Sequence, residues 1–102
     1  MLHHLTEQRD TIIELCRRFE VSTLAVFGSA TTGEFDPDSS DVDFQVEFDP
    51  AGGLSRFDAY FGLKEGLEEL LGFPVDLVAP TALENPYFAR SVKRTRKVLY
   101  AA

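Results

Sequence analysis

Three aspartates carry the strongest chemical signal in the sequence. Asp41 and Asp43 lead into an alternating apolar run over residues 44–48. Because side chains on a strand alternate between two faces, both carboxylates are expected to point the same way, with Cα atoms about 6.6 Å apart. Asp76 lies inside a second short apolar run, residues 75–78. If these strands are neighbours, three carboxylates form one patch, and a divalent cation such as Mg²⁺ relieves their repulsion.

Such a patch would suit phosphoryl chemistry. Two Mg²⁺ ions about 3.5–4 Å apart would stabilise the attacking and leaving oxygens of an in-line displacement at phosphorus. In this arrangement Asp41 and Asp43 hold both ions, while Asp76 lies by the attacking hydroxyl as a ligand of one ion and as general base. The Gly28-Ser29 pair would meet the phosphates, since Gly28 has no Cβ and Ser29 offers a hydroxyl and an amide to the β and γ oxygens.

Each of these features is weak alone. Asp-x-Asp pairs are frequent on surface strands, and Asp76 could be a buried acid paired with a residue such as Arg56. The signal comes from their order: a strand, Gly-Ser, a loop, a strand headed by Asp-x-Asp, a helix, and a strand that holds an Asp. That order favours a site for a metal-bound nucleoside triphosphate.

Length and composition predict one globular domain over residues 1–102, with 44% hydrophobic residues. No apolar run approaches the roughly 20 residues that span a bilayer, so no association with a membrane is expected. The only cysteine, Cys16, excludes an internal disulfide and favours a cytoplasmic location. It is expected to be a buried structural thiol.

Charge is unevenly distributed along the chain. The net charge is −7, with seven acids and no base between Glu34 and Asp49. A basic segment, residues 90–97, holds five bases and no acid. Direct nucleic-acid binding is not expected of so acidic a chain, because phosphate neutralisation needs a broad basic surface. The basic segment could contact a nucleotide's phosphates, an acidic partner or the protein's own acidic loop, or it could be a solvated helix face.

The periodicity of apolar residues predicts alternating helices and strands. The expected helices cover residues 5–20 (N-cap Thr6), a short turn after Ser29, 55–71 (N-cap Ser55, stop at Gly72), 81–84 and 87–95. The expected strands cover residues 22–27, 41–48, 75–78 and 97–100, with the strand of Asp76 central. The second long helix is expected to bury Phe57, Tyr60, Phe61, Leu67, Leu70 and Leu71. Its two glycines, Gly62 and Gly66, indicate close packing.

The combination of Gly28-Ser29, Gly33-Glu34, Ser40-Asp41-Val42-Asp43 and the 74–78 segment resembles the minimal nucleotidyltransferase (MNT) family. That family belongs to the DNA polymerase β-like nucleotidyltransferase superfamily. The resemblance implies an α+β fold, a small mixed sheet backed by helices. It also implies transfer of a nucleoside monophosphate from an NTP, usually ATP, with pyrophosphate leaving. Members commonly act as antitoxins of HEPN ribonucleases, by binding the toxin or by adding AMP to one of its tyrosines.

Carried over by position, Asp41 and Asp43 match the family's metal-binding pair, and Asp76 matches its third acid. Gly28 and Ser29 match its glycine-serine. Thr32 stands where an arginine is common, and an arginine–phosphate contact contributes roughly 1.5–3 kcal/mol. We therefore expect weaker NTP binding, unless a base from the basic segment substitutes. The loop between Ser29 and Asp41 is also about one residue longer than usual, at small entropic cost.

Three functions remain open from sequence. The first is a Mg²⁺-dependent enzyme that modifies a partner protein, favoured by the intact acids. The second is a binding module that masks a HEPN active site with little turnover, favoured by Thr32. Transfer to RNA or an antibiotic would need acceptor recognition from another chain. We expect a homo- or hetero-oligomer, for which the candidate apolar contacts are Phe35, Phe57, Tyr60, Tyr87 and Phe88.

Overall fold

The computed structural model describes residues 2–32, 41–79 and 86–102. Its helices are α1 (Leu2–Glu7), α2 (Arg9–Arg18), α3 (Ser29–Thr32), α4 (Arg56–Leu71) and α5 (Pro86–Thr95). Its strands are β1 (Val21–Phe27), β2 (Val42–Phe48), β3 (Val75–Val78) and β4 (Lys97–Ala101). Within these ranges, no helix combines the length and apolarity needed to cross a membrane.

The four strands form one mixed sheet in the order β3-β2-β1-β4. β1 pairs antiparallel with both β2 and β4, whereas β2 and β3 are parallel. A parallel pair needs a crossover connection, and α4 supplies it. This arrangement confirms the predicted mixed sheet backed by helices. The predicted central position of β3 was wrong, because β3 is an edge strand and Asp76 on it is exposed rather than buried.

The outer edge of β3 is covered by side chains of α4. The Val75 N–H donates to Glu68 Oε2 at 3.0 Å, and the Tyr60 hydroxyl donates to the Leu77 carbonyl at 3.3 Å. Lys64 Nζ lies 3.1 Å from the same Glu68 oxygen. The pKa of Glu68 is lowered first by the Val75 hydrogen bond and then by the one from Lys64, which keeps the carboxylate charged.

The main core lies between the sheet and helices α2 and α4. Side chains on one face of β2 are fully or almost fully buried, as are Leu5, Ile12 and Cys16 of the two N-terminal helices. The buried core cluster comprises Leu5, Ile12, Cys16, Val21, Leu24, Val26, Ala30, Val42, Phe44, Val46, Leu63, Leu67, Leu71, Val75 and Leu77. Burial raises the pKa of the Cys16 thiol to about 12, which agrees with a structural thiol.

The face that α4 buries agrees with the predicted one at Leu67 and Leu71 and differs from it at Phe57 and Phe61. Its buried side chains are Ala59, Leu63, Leu67 and Leu71, at four-residue spacing. Phe57 and Phe61 are 68% and 43% exposed, so their predicted burial was wrong. The glycines explain the orientation: a Cβ at Gly62 would overlap the Phe19 ring, and one at Gly66 would lie 2.8 Å from Leu15 Cδ2. The glycine side of α4 therefore packs against α2 and turns the two rings outward.

Several boundaries also differ from the expected ones. The predicted helix over residues 5–20 is two helices divided at Gln8, the N-cap position of α2, so the predicted cap at Thr6 was wrong. Ser55 does cap α4, accepting from the Asp58 N–H at 3.1 Å, and Gly72 ends it with φ 77°. The predicted helix over residues 81–84 lies outside the described residues.

Candidate active site

The strand pairings bring the three predicted acids to one region of the sheet. Asp43 is opposite Asp76 in the parallel β2–β3 pair, and Asp41 immediately precedes β2. Asp43 is half-buried, whereas the other two side chains are exposed. Burial raises the pKa of Asp43 to about 6, and the carboxylates of Asp76 and then Asp41 contribute to the same rise. The carboxylates of Asp76 and Asp41 therefore lie near enough to Asp43 to act on it electrostatically.

A tight turn at Gly28 lies against Asp43. Gly28 follows β1 with φ 77°, a conformation that favours glycine. A Cβ built on it would lie 3.0 Å from Asp43 Oδ2, so the bare backbone gives the carboxylate its space. The Gly28 carbonyl accepts hydrogen bonds from the Thr31 N–H at 3.0 Å and from Thr31 Oγ1 at 2.9 Å. The short helix α3 begins next, at Ser29, as predicted.

The Gly28 N–H has a partner that sequence reasoning missed. It donates to Thr95 Oγ1 at 2.8 Å, across 67 positions of the chain. Thr95 is the last residue of α5 and lies inside the basic segment, whose five cationic side chains are all exposed. The segment therefore passes beside the turn. Since nothing local in the sequence links residues so far apart, only the fold could reveal this contact.

Gln45 is the second polar residue that the sequence did not single out. It lies two residues beyond Asp43 on β2, opposite Ala25 of β1 and Val78 of β3. Only 8% of it is exposed, and its Oε1 is a buried atom for which the structure gives no hydrogen-bond partner. Alternation along β2 indicated a solvent-facing position, whereas the fold buries it.

Other predicted elements of the site are not placed. The side chains of Ser29 and Thr32, and the whole of residues 33–40, lie outside the described part of the chain. The loop motifs Gly33-Glu34 and Ser40 belong to that stretch, and the described chain resumes at Asp41.

The described acids have the donor chemistry that Mg²⁺ prefers. Among the described residues, no three His, Cys, Asp or Glu side chains are assembled closely enough to form a metal site by themselves. Mg²⁺ commonly takes one or two protein carboxylates and completes its shell with water and substrate phosphates. Asp43 fits that requirement, because it lies beside a turn that has no Cβ. Its pKa is raised by burial and by two neighbouring carboxylates, whose repulsion a cation would relieve.

Comparison with known proteins places the chain in a family. A sequence profile of the nucleotidyltransferase domain matches residues 9–99. The chain belongs to the nucleotidyltransferase domain family. The protein adenylyltransferase MntA of Thermococcus cleftensis is 42% identical over 87 residues, which are 85% of this chain and 81% of that protein. This nucleotidyltransferase is therefore an enzyme of the class that uses a nucleoside triphosphate as substrate.

Solved structures agree with this assignment. A protein described as a minimal nucleotidyltransferase superposes with a TM-score of 0.74 at 33% identity, over 94% of this chain and 93% of that one. A chain of a toxin–antitoxin structure solved with AMP-PNP superposes with a TM-score of 0.64 at 26% identity, over 92% of this chain and 73% of that one. The predicted family and fold class of this nucleotidyltransferase are thus confirmed.

Proposed function

We propose that this nucleotidyltransferase transfers AMP from ATP to a tyrosine hydroxyl of a HEPN-class ribonuclease toxin, and so acts as its antitoxin. The observation that carries the proposal is the place of Asp43, which lies against the Gly28 turn, opposite Asp76 and two residues after Asp41. The adenylyltransferase name of the Thermococcus relative supports AMP as the transferred group. The toxin–antitoxin neighbour that contains AMP-PNP supports both a toxin partner and an adenine nucleotide.

Each acid has a distinct proposed role. Asp41 and Asp43 would hold Mg²⁺, two ions in the presence of ATP, and Asp76 would serve as a further ligand. Bound Mg²⁺ would neutralise charge on the triphosphate. Asp76 also accepts the proton of the attacking hydroxyl, whose oxygen bonds to the α-phosphorus as the bond to the β-phosphate bridging oxygen breaks. Pyrophosphate then leaves. The exposure of Asp76 supports this role, because an acceptor from another protein must reach it.

The nucleotide would lie over the turn that follows β1. Gly28 admits the triphosphate without a Cβ, and Ser29 offers its amide and hydroxyl to the β and γ oxygens. Thr32 provides no charge where the family commonly has an arginine, so we expect weaker ATP binding than in relatives that keep it. A base of the basic segment is the candidate substitute, supported by the contact between Thr95 and Gly28.

A second function is favoured by that same threonine. With one phosphate contact fewer, the protein could neutralise its partner by covering the toxin's active site with little turnover. In either case we propose a cytoplasmic hetero-oligomer in which residues 1–102 act as one domain. The exposed Phe57 and Phe61, whose ring centroids are 4.6 Å apart, are candidate contacts in such an assembly.

The deciding experiment uses the purified HEPN partner, Mg²⁺ and radiolabelled ATP. We expect wild-type protein to label the partner and abolish its ribonuclease activity. Asp43→Asn should lose both effects while still binding the partner, and Glu65→Gln, an exposed acid on α4, should retain both. If Asp43→Asn still neutralises the partner, masking is the function and AMP transfer is not required.

A further inference from the structure

The Gly28 turn is fixed from two directions. Its carbonyl is held locally by both donors of Thr31, at 2.9 and 3.0 Å. Its N–H is held only by Thr95 Oγ1, at 2.8 Å, among the hydrogen bonds that the structure gives for this atom. The local bonds set the shape of the turn, whereas the Thr95 bond ties it to a different part of the fold.

The position of this turn sets its distance to Asp43. Phe27, which precedes Gly28, pairs with Asp43 across the sheet. The Asp43 carboxylate lies close enough that a single added carbon on Gly28 would reach within 3.0 Å of it. A shift of the turn by a few tenths of an ångström would therefore change the space in which a phosphate and a metal ion meet this carboxylate.

Thr95 is well placed to hold the turn still. It ends α5, where the Arg96 N–H donates to the Val92 carbonyl at 2.8 Å and Val92 is buried. The next residue but one, Lys97, pairs with Val26 of β1. The backbone around Thr95 is thus anchored by the end of a helix and by the sheet, so the hydroxyl is presented from a fixed point.

We propose that Thr95 is a positioning residue of the nucleotide site. Its hydroxyl holds the Gly28 amide and thereby fixes the approach of the turn to Asp43, and it joins the α5–β4 corner to the phosphate-binding loop. This inference rests on the proposed function, because it assigns the turn to the triphosphate. Removing the hydroxyl leaves a part-buried amide without its acceptor, and the turn gains freedom at the point where ATP binds.

The test compares two variants with a matched control. Thr95→Val removes the hydroxyl at nearly constant volume, and Thr95→Ser restores it. Thr11→Val makes the same change at an exposed position of α2. Calorimetric titration with Mg·ATP, well below the unfolding temperature, should show about five- to tenfold weaker binding for Thr95→Val. Thr95→Ser and Thr11→Val should bind within about twofold of wild type.

A second readout follows the hydrogen bond itself. Amide exchange at Gly28, measured by NMR without nucleotide, should be at least about tenfold faster in Thr95→Val and restored in Thr95→Ser. Thr95→Ala serves as a second hydroxyl-free variant if the valine protein does not fold. A purely structural role for Thr95 would lower the unfolding temperature without changing the ATP affinity of the folded protein.

The outcomes separate this inference from the proposed function. If Thr95→Val binds Mg·ATP as tightly as wild type does, the positioning role of Thr95 is overturned and the proposed function is not. Tighter binding in Thr95→Val also overturns it, because Thr95 would then compete with phosphate for the Gly28 amide. If wild-type protein and Asp43→Asn both fail to bind Mg·ATP, the proposed function falls and the positioning role falls with it, whatever the exchange rate at Gly28.

Discussion

Replacing Asp43 by asparagine should stabilise the metal-free protein at neutral pH. Burial and two neighbouring carboxylates raise the pKa of Asp43 from 3.8 to about 6. A difference of this size corresponds to at most about 3 kcal/mol. Because Asp43 is only half-buried, solvent screening reduces the expected contribution to about 1–2 kcal/mol. Asparagine has nearly the same shape and carries no charge, so it avoids this cost.

The sign of the pH dependence follows from proton binding. Between about pH 4 and pH 6 the folded protein holds a proton on Asp43 that the unfolded chain has released, so stability falls as pH rises through that window. The stability contributed by the raised pKa is fully present below about pH 4 and lost above about pH 6. An asparagine side chain does not titrate, so Asp43→Asn should gain on wild type across this window and keep a constant advantage above it.

Thermal unfolding with chelator present measures the effect. We compare the unfolding temperature of Asp43→Asn with that of wild type at two pH values. The variant's advantage should be about 5–10 °C larger at about pH 7.5 than at about pH 4. Glu65→Gln, the matched change at an exposed position of α4, should show no comparable gain. Asp76→Asn should move the midpoint of the wild-type loss to lower pH, since it removes one of the charges that raise the pKa of Asp43.

Two results would refute this reasoning. A difference between wild type and Asp43→Asn that is the same at both pH values would show that Asp43 has an ordinary pKa in the folded protein. If Asp76→Asn does not move the pH midpoint of the stability loss, the Asp76 carboxylate does not influence the pKa of Asp43. Adding Mg²⁺ at about ten times its dissociation constant should stabilise wild type by about 1.4 kcal/mol and leave the Asp43→Asn protein unchanged, if Asp43 is a ligand.

Three further substitutions, with Gly53→Ala as a control, test the packing of the site and of the contact between α2 and α4. Gly28→Ala should destabilise the protein by about 1–2 kcal/mol, because it forces an L side chain into a positive φ. It should also weaken Mg·ATP binding, because the added Cβ crowds Asp43. Chemical denaturation measures the first effect and calorimetry the second. Gly62→Ala should cost about 1–3 kcal/mol in denaturation, since its Cβ has no room, whereas Gly53→Ala, with open space, should change stability by less than about 0.5 kcal/mol. Gln45→Leu should stabilise the protein by about 1 kcal/mol, because it removes a buried acceptor to which the described residues offer no donor. An equal or lower denaturation midpoint would contradict this.

The sequence predicted the fold well where local chemistry decides the outcome. The Ser55 hydroxyl begins α4 by accepting from the Asp58 N–H, and the Gly72 N–H ends it by donating to the Glu68 carbonyl. Both partners lie within four residues along the chain, and the sequence showed both ends. The burial of Phe57 and Phe61 was predicted wrongly, because the apolar pattern of α4 allows more than one of its faces to point towards the core. The choice depended on whether Gly62 met Phe19, a contact between helices that periodicity alone does not encode.

Some features of the site could likewise be predicted from the sequence, and others could not. The alternation of side chains predicted that Asp76 would stand next to Asp41 and Asp43 if the two strands were neighbours, and the structure adds the parallel pairing that places it opposite Asp43. The central position of the Asp76 strand was predicted wrongly, because an apolar run of four residues looks the same on an edge strand as on a central one. The Thr95 contact could not be predicted at all, since it depends on where α5 ends relative to β1.

The covering of the β3 edge by α4 restricts how this protein can assemble. An open strand edge is a template on which another chain can add a strand, with aggregation as the risk. On β3 the outward-facing Val75 N–H and Leu77 carbonyl are already bonded to Glu68 and Tyr60. An incoming strand would first have to displace a charged carboxylate and a phenol. A partner that approaches this side of the sheet must therefore recognise side-chain shape and charge, and intermolecular β-pairing at β3 is disfavoured even at high protein concentration.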